Sequence, residues 1–255
     1  MAISHLLLDI EGTTCPVSFV AEVLFPHARR CMGTYLHTHA HDPEVAALVR
    51  AVAQAWLADS DPEAQALQSL ASAELLAACA DGTAAAANAA TAVLPYLDWL
   101  IARDIKFTPL KDLQGRIWRA GYASGELVAP LFADVPAALN RWHQQGLVLA
   151  VYSSGSVPAQ QLLYGHSQAG DLRPLFRHWF DTRSGAKQEP SSYSGIAAAM
   201  GCAPAAVLFI SDALAELQAA QAAGMACLFS DRPGNPGRDS GPFARIGDYS
   251  ELDPC

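Results

Sequence analysis

Short apolar runs alternate with helix-length amphipathic stretches over much of this chain. The first run is Ile3 followed by Leu6-Leu7-Leu8, and it ends at Asp9. Short continuous runs of this kind read as strands buried on both faces. The pattern returns after residue 124. A helix is predicted over 135–145 with Gly146 as its stop, then a strand over 147–152 ending in Ser153-Ser154-Gly155-Ser156, then a helix over 157–164. Trp179-Phe180 closes a short strand before Asp181. A helix over 191–200 ends near Gly201, and a strand over 207–210 ends in Ser211-Asp212. A helix over 213–223 is stopped by Gly224, and a last strand covers 225–229. Strands alternating with helices predict a parallel sheet with right-handed crossovers.

Between residues 19 and 124 the pattern is helical, with no convincing strand. Phe19, Val20, Val23 and Leu24 give helical spacing over 17–35, interrupted by Pro26. Amphipathic helices are predicted over 44–58 and 63–79, and Asp81-Gly82 breaks them. The alanine patch 84–90 suits a helix or a linker. Helices follow over 93–104 and 110–118, with Pro109 near the start of the second. The expected fold class is therefore α/β, with a core of residues 1–18 and 125–255 and a helical domain of residues 19–124 inserted after the first strand.

Composition supports a folded chain. It has 255 residues, 51% hydrophobic and 16% charged, enough to bury a sizeable core. The net charge of −9 argues against nucleic acid and anionic membrane as partners and leaves a small anionic substrate open. Cys15, Cys31, Cys79, Cys202, Cys227 and Cys255 contain no C-x-x-C pair. No leader-like or bilayer-length apolar stretch is visible. A soluble, cytoplasmic protein is expected, and a monomer, since no long exposed apolar stripe demands a partner.

Candidate chemistry gathers at the predicted carboxyl ends of the strands, where open α/β sheets bind ligands. Four stretches stand there: Asp9-Ile10-Glu11, Ser153 to Ser156, Lys187, and Asp212 with Glu216. Each alone has an ordinary explanation as a turn, a helix cap or solvated surface. Together they suit a phosphate monoester. An attacking carboxylate needs its charge compensated, and Mg²⁺ held by oxygens does this. Asp9 and Asp212 are the natural ligands, with a backbone carbonyl near Ile10 or Glu11 as a third. Ser153 and the amides of Ser154 and Gly155 can donate to phosphoryl oxygens. Lys187 adds positive charge, and Glu11 is placed for general acid–base work.

These stretches resemble the four motifs of the haloacid-dehalogenase-like (HAD) phosphohydrolases. More narrowly, the chain resembles the enolase-phosphatase family of methionine salvage. The likeness includes DIEGTT (9–14), VLFPHA (23–28), LQGRIW (113–118), YSSGSVPAQQLLYGHS (152–167), FDT (180–182), GAKQEPSSY (185–193), SDALAE (211–216) and RPGN (232–235). Most phosphatases of the wider superfamily carry Asp where this chain has Glu11, which fits the narrower family. The resemblance implies a Rossmann-like, HAD-like core with a helical cap domain and one Mg²⁺ per chain. It implies metal ligation by Asp9, Glu11 through its backbone, and Asp212, and substrate contacts from Ser153, Ser154 and Lys187. The catalytic set would be Asp9, Glu11 and Lys187. The implied reaction enolises 2,3-diketo-5-methylthiopentyl 1-phosphate and then removes its phosphate, giving 1,2-dihydroxy-3-keto-5-methylthiopentene. A phosphatase of the same superfamily acting on another small phosphate ester is the alternative.

For the enolisation, Mg²⁺ or Lys187 would stabilise the oxyanion, and Glu11 or a group from the insert would move the proton. Gln114 and Trp118, four apart on one helical face, are candidates to face the site. His37, His39 and His41 read as a polar helix end rather than a metal site. No dinucleotide fingerprint or P-loop occurs.

Overall fold

The computed structural model describes residues 2–82, 84, 86–103 and 105–254. The chain divides into two compact units, Met1–Ala21 with Gly125–Cys255, and Glu22–Ser124. The first unit carries a six-stranded parallel sheet of β1 (His5–Leu8), β2 (Val148–Tyr152), β3 (Phe176–Phe180), β4 (Val207–Ser211), β5 (Ala226–Ser230) and β6 (Arg245–Ile246). Their order is β3-β2-β1-β4-β5-β6. Leu6, Leu7 and Leu8 are wholly buried, as a central strand covered on both faces requires. The direction of winding reverses between β1 and β4, which makes their carboxyl ends a topological switch point. Asp9 leaves β1 there, and Asp212 leaves β4 beside it.

Most predicted elements of this unit form within a residue or two of their expected bounds. Its helices are α8 (Val135–Gln144), α9 (Val157–Gly165), α10 (Pro190–Met200) and α11 (Leu214–Ala222). The two-residue β6 has no pattern long enough to read from sequence.

The second unit contains α1 (Phe25–Thr38), α2 (Pro43–Ala58), α3 (Pro62–Leu70), α4 (Ala73–Asp81), α5 (Ala86–Ala92), α6 (Leu94–Ala102) and α7 (Thr108–Ser124), with no strand among the described residues. Residues Phe19–Leu24 form a π-helix that runs into α1. Pro26 has no N–H to give the preceding turn, and the wider π geometry relieves its ring from that turn's carbonyl.

The predicted single helix over 63–79 is two helices. Ala71 is extended, and the Ser72 hydroxyl accepts from the Leu75 amide to cap α4. Of the residues in the alanine patch and the following predicted helix, Ala85 and Asp104 lie outside the described residues, as does Cys255. The core of this unit centres on Trp56, stacked on Tyr96 at 5.3 Å, with Tyr96 stacked on Trp99 at 5.6 Å. His39 follows the last turn of α1, stacks on Tyr35 and bonds its carbonyl, so the histidine cluster is a helix end. Trp118 donates its indole N–H to Leu24 O at 2.8 Å and packs on this unit's core, and Gln114 is buried.

The loop after β1 is clasped from the C-terminal segment. Arg232 is buried and donates to both oxygens of Asp134, at 2.9 and 2.8 Å. Its guanidinium lies 4.1 Å from the ring of Tyr249, whose hydroxyl donates to Thr13 O at 3.0 Å. Replacing Asp134 with Ala strands a buried guanidinium. It is expected to lower stability by about 3 kcal/mol, measured by urea unfolding; a loss within error of zero would contradict this clasp.

Candidate active site

The site grows from the end of β1. The Asp9 amide still pairs with Ile210 O at 3.0 Å, but the chain turns at once. Ile10 O accepts the amides of Thr13, Thr14 and Cys15. That carbonyl is turned into its own loop, so of the two carbonyls considered from sequence only that of Glu11 remains a candidate ligand. Gly12 has φ +67°, and a Cβ there would lie 2.1 Å from Asp212 Oδ2. Only glycine allows both this turn and this approach of the second acid.

Asp9 is buried, and each of its oxygens is engaged. Oδ1 accepts from the Ile10 amide at 2.8 Å and faces Lys187 Nζ at 2.9 Å. Oδ2 lies 3.3 Å from the Ser211 hydroxyl. Lys187 Nζ also meets Glu216 Oε2 at 2.7 Å, and Ser211 donates to that same oxygen at 2.9 Å. Glu216 thus joins the cluster from the first turn of α11, where sequence alone allowed it to face water. Burial works to lower the lysine's pKa, but the charges of Asp9 and Glu216 outweigh it and raise it, so Lys187 is cationic.

One ammonium cannot balance these acids. Burial, with Asp9's charge, pushes both Asp212 and Glu216 up to about 7 against the opposing pull of Lys187. Asn235 lies beside Asp212. Its Nδ2 donates to Gly12 O at 2.9 Å and Ser230 O at 3.1 Å, which fixes the amide's orientation. Its buried Oδ1 has no partner and points at the same side of Gly12 as Asp212 Oδ2. Surplus half-buried carboxylates and an orphaned buried acceptor fit a hydrated divalent cation, which supplies charge to the first and a water proton to the second.

The serines of the β2 turn divide. Ser153 is buried, and its hydroxyl accepts from the Gly155 amide at 3.2 Å, keeping its own proton for another acceptor. That amide, expected to face a phosphoryl oxygen, is therefore spent locally. Ser154 is exposed. None of these serines caps α9. The carboxylate of Asp181, leaving β3, takes the Val157 amide at 3.2 Å instead. Asp9, Lys187, Asp212 and Glu216 thus come together, with Ser153 at the neighbouring strand end. Ser211 and Asn235 went unsingled in sequence. RPGN carried Asn235 only as part of a likeness, and a serine ending a strand has no distinguishing signal.

The family model of the haloacid dehalogenase-like hydrolases matches residues 3–224 and sets the class, a hydrolase on this sheet. Hydrolases of this class are generally Mg²⁺-dependent. Two curated relatives are named enolase-phosphatase E1. One, from Synechococcus sp. RCC307, is 50% identical over 231 residues, covering 91% of this chain and 86% of the relative. The other, from Synechococcus elongatus, is 48% identical over 252 residues, covering 99% and 98%. The chain belongs to the enolase-phosphatase E1 family of haloacid dehalogenase-like hydrolases and is an enzyme. Among solved structures, the UTR4 protein of Saccharomyces cerevisiae matches with a TM-score of 0.75 at 31% identity, covering 98% of this chain and 100% of that one. CbbY of Rhodobacter sphaeroides, at 18% identity and TM-score 0.56, covering 98% and 96%, shares the fold alone.

The raised Asp212 pKa has a consequence for stability. The folded chain binds this proton more tightly than the unfolded one, so the contribution favours folding at low pH and is lost as pH rises through about 7. Asp212→Asn is expected to stabilise the cation-free protein at pH 8 by about 1 kcal/mol, after allowing for solvent screening. The gain should shrink towards pH 4. Urea unfolding in a chelator reads this out, and destabilisation at pH 8 would contradict it.

Proposed function

We propose that this chain is a bifunctional enolase-phosphatase of methionine salvage. It takes 2,3-diketo-5-methylthiopentyl 1-phosphate, enolises it, and hydrolyses the phosphate ester to give 1,2-dihydroxy-3-keto-5-methylthiopentene. The observation that carries this is the Asp9 carboxylate at the β1–β4 switch point, held between Lys187 Nζ and the Ser211 hydroxyl. Membership of the enolase-phosphatase E1 family supports the substrate.

In this reading Asp9 is the nucleophile. One oxygen attacks phosphorus and the alkoxide leaves, giving a phosphoaspartate that water then hydrolyses. Lys187, fixed at the nucleophile, offers its charge to the phosphoryl oxygens as they gather negative charge. Ser153 donates its hydroxyl proton to a phosphoryl oxygen, and Ser154 contributes a further substrate contact. Glu11 protonates the leaving oxygen and then draws the proton from water. A single Mg²⁺ held by the Asp9 and Asp212 carboxylates and the Glu11 main chain would neutralise the attacking carboxylate and the phosphate. Enolisation needs a proton removed beside a ketone and an oxyanion stabilised. Lys187 suits the second task and Glu11 the first.

The division into a core of residues 1–18 and 125–255 and a cap of residues 19–124 belongs to the same proposal. So do a monomeric state and a cytoplasmic location. No helix among the described residues is long and apolar enough to cross a membrane. The net charge of −9 supports a small-molecule substrate over nucleic acid or anionic membrane.

Following diketone absorbance and phosphate release in parallel tests the assignment. Asp9→Asn is expected to abolish phosphate release while leaving the fold intact, and Glu11→Gln to slow enolisation by at least about a hundredfold. Retained phosphate release in the first variant would overturn the nucleophile. Full-speed enolisation in the second would remove Glu11 as the base. Faster turnover of simple sugar phosphates than of the diketone would point to another phosphatase.

A further inference from the structure

Lys187 stands in a loop between β3 and α10, a place where carbonyls have no ladder partner. Three successive carbonyls there are nevertheless gripped, each by a different side-chain hydroxyl. Tyr152 donates to Gly185 O at 2.9 Å, Ser192 to Ala186 O at 2.8 Å and Tyr193 to Lys187 O at 2.7 Å. Tyr152 closes β2, whereas Ser192 and Tyr193 sit in the first turn of α10, so the grip ties the loop to two elements at once.

The grip is itself rigid. Tyr152 and Tyr193 are wholly buried, meet edge to face at 5.5 Å, and Tyr193 packs on Phe209 of β4 at 5.1 Å. Burial raises both phenols' pKa values, which keeps them as donors. The ring of Tyr152 also lies 5.7 Å from Lys187 Nζ. At Gly185 the backbone has φ +123°, and a Cβ there would stand 2.1 Å from the Ser192 oxygen. The loop can therefore take this shape only with glycine next to the serine.

We propose that Tyr152, Ser192 and Tyr193 form a hydroxyl clamp that positions Lys187. A lysine side chain is long and has freely turning bonds, and its ammonium is drawn by Asp9 and Glu216 together. When an incoming phosphoryl group competes for that charge, the ammonium has to let go of part of this pairing without leaving the nucleophile. A backbone fixed at three consecutive carbonyls limits how far it can travel. The hydroxyls touch no reacting atom and act only through Lys187. This inference rests on the proposed role of Lys187 in the phosphatase reaction.

The test uses Tyr193→Phe, Tyr152→Phe and Ser192→Ala, alone and combined with Lys187→Met. Turnover of the diketo phosphate is measured, along with binding of orthovanadate with Mg²⁺ by calorimetry. Each clamp variant is expected to lower kcat about tenfold and weaken vanadate binding with KM nearly unchanged, and to lower the unfolding midpoint without unfolding the protein under assay conditions, since a buried carbonyl loses its donor. In the Lys187→Met background the same changes should alter vanadate binding less than about twofold, because the lysine they position is gone. Should one variant fold poorly, the other two carry the comparison. Equal losses in both backgrounds, or clamp variants that match the unmutated enzyme, would overturn the clamp while leaving the function standing. If Lys187→Met alone leaves turnover and vanadate binding intact, the role of the lysine fails and the clamp with it.

Discussion

A single buried ammonium between two carboxylates organises the catalytic unit. Lys187 Nζ reaches Asp9 at 2.9 Å and Glu216 at 2.7 Å, and so binds the end of β1 to the start of α11 and to the loop before α10. Bringing such charges out of water costs several kcal/mol per ion, which only close pairing and added hydrogen bonds offset. Here the Ser211 hydroxyl stands between the two acids, its one proton within reach of either. The set remains one-sided, with three carboxylates facing one ammonium, and burial together with the charge of Asp9 raises the pKa values of Asp212 and Glu216. Imbalance of this kind destabilises a fold, and it persists where a function needs it.

The sheet makes this concentration possible. With strands parallel, every carboxyl end lies along one edge, and the reversal of winding between β1 and β4 opens a crevice there. Asp9, Ser153, Asp181, Asp212 and Asp231 each follow directly on a strand. They differ in what they meet. Asp181 spends its charge on the start of α9 and on Arg183. Asp231 pairs with the exposed Arg238 and Arg245. Asp212 instead comes in against Gly12, which has no side chain to keep it out, and lies close enough to Asp9 to feel its charge.

Much of this was legible in the chain itself. Leu6 to Leu8 and Val148 to Tyr152 read as strands because burial on both faces leaves an unbroken apolar run. The acids showed because a charge ending such a run has few structural reasons to be there. The helical unit was harder. The hydroxyl of Ser72 splits a stretch whose apolar spacing continues across the break, and periodicity does not register a cap. The supporting shell was hardest. Tyr152 and Tyr193 look like ordinary core aromatics, and their hydroxyls gain meaning only when the fold sets them against consecutive carbonyls. Asn235 lies far along the chain from Gly12, and nothing local marks its amide as turned towards Asp212.

The central claim is that Asp9 and Asp212, from opposite ends of the chain, are gathered to share one divalent cation. Crystals soaked in Mn²⁺ and measured for anomalous scattering test it most directly. The account predicts a single strong peak within bonding distance of both carboxylates, absent from crystals of the Asp212→Asn protein. A saturating soak that leaves the space between them empty, or a peak touching one acid and not the other, would contradict it.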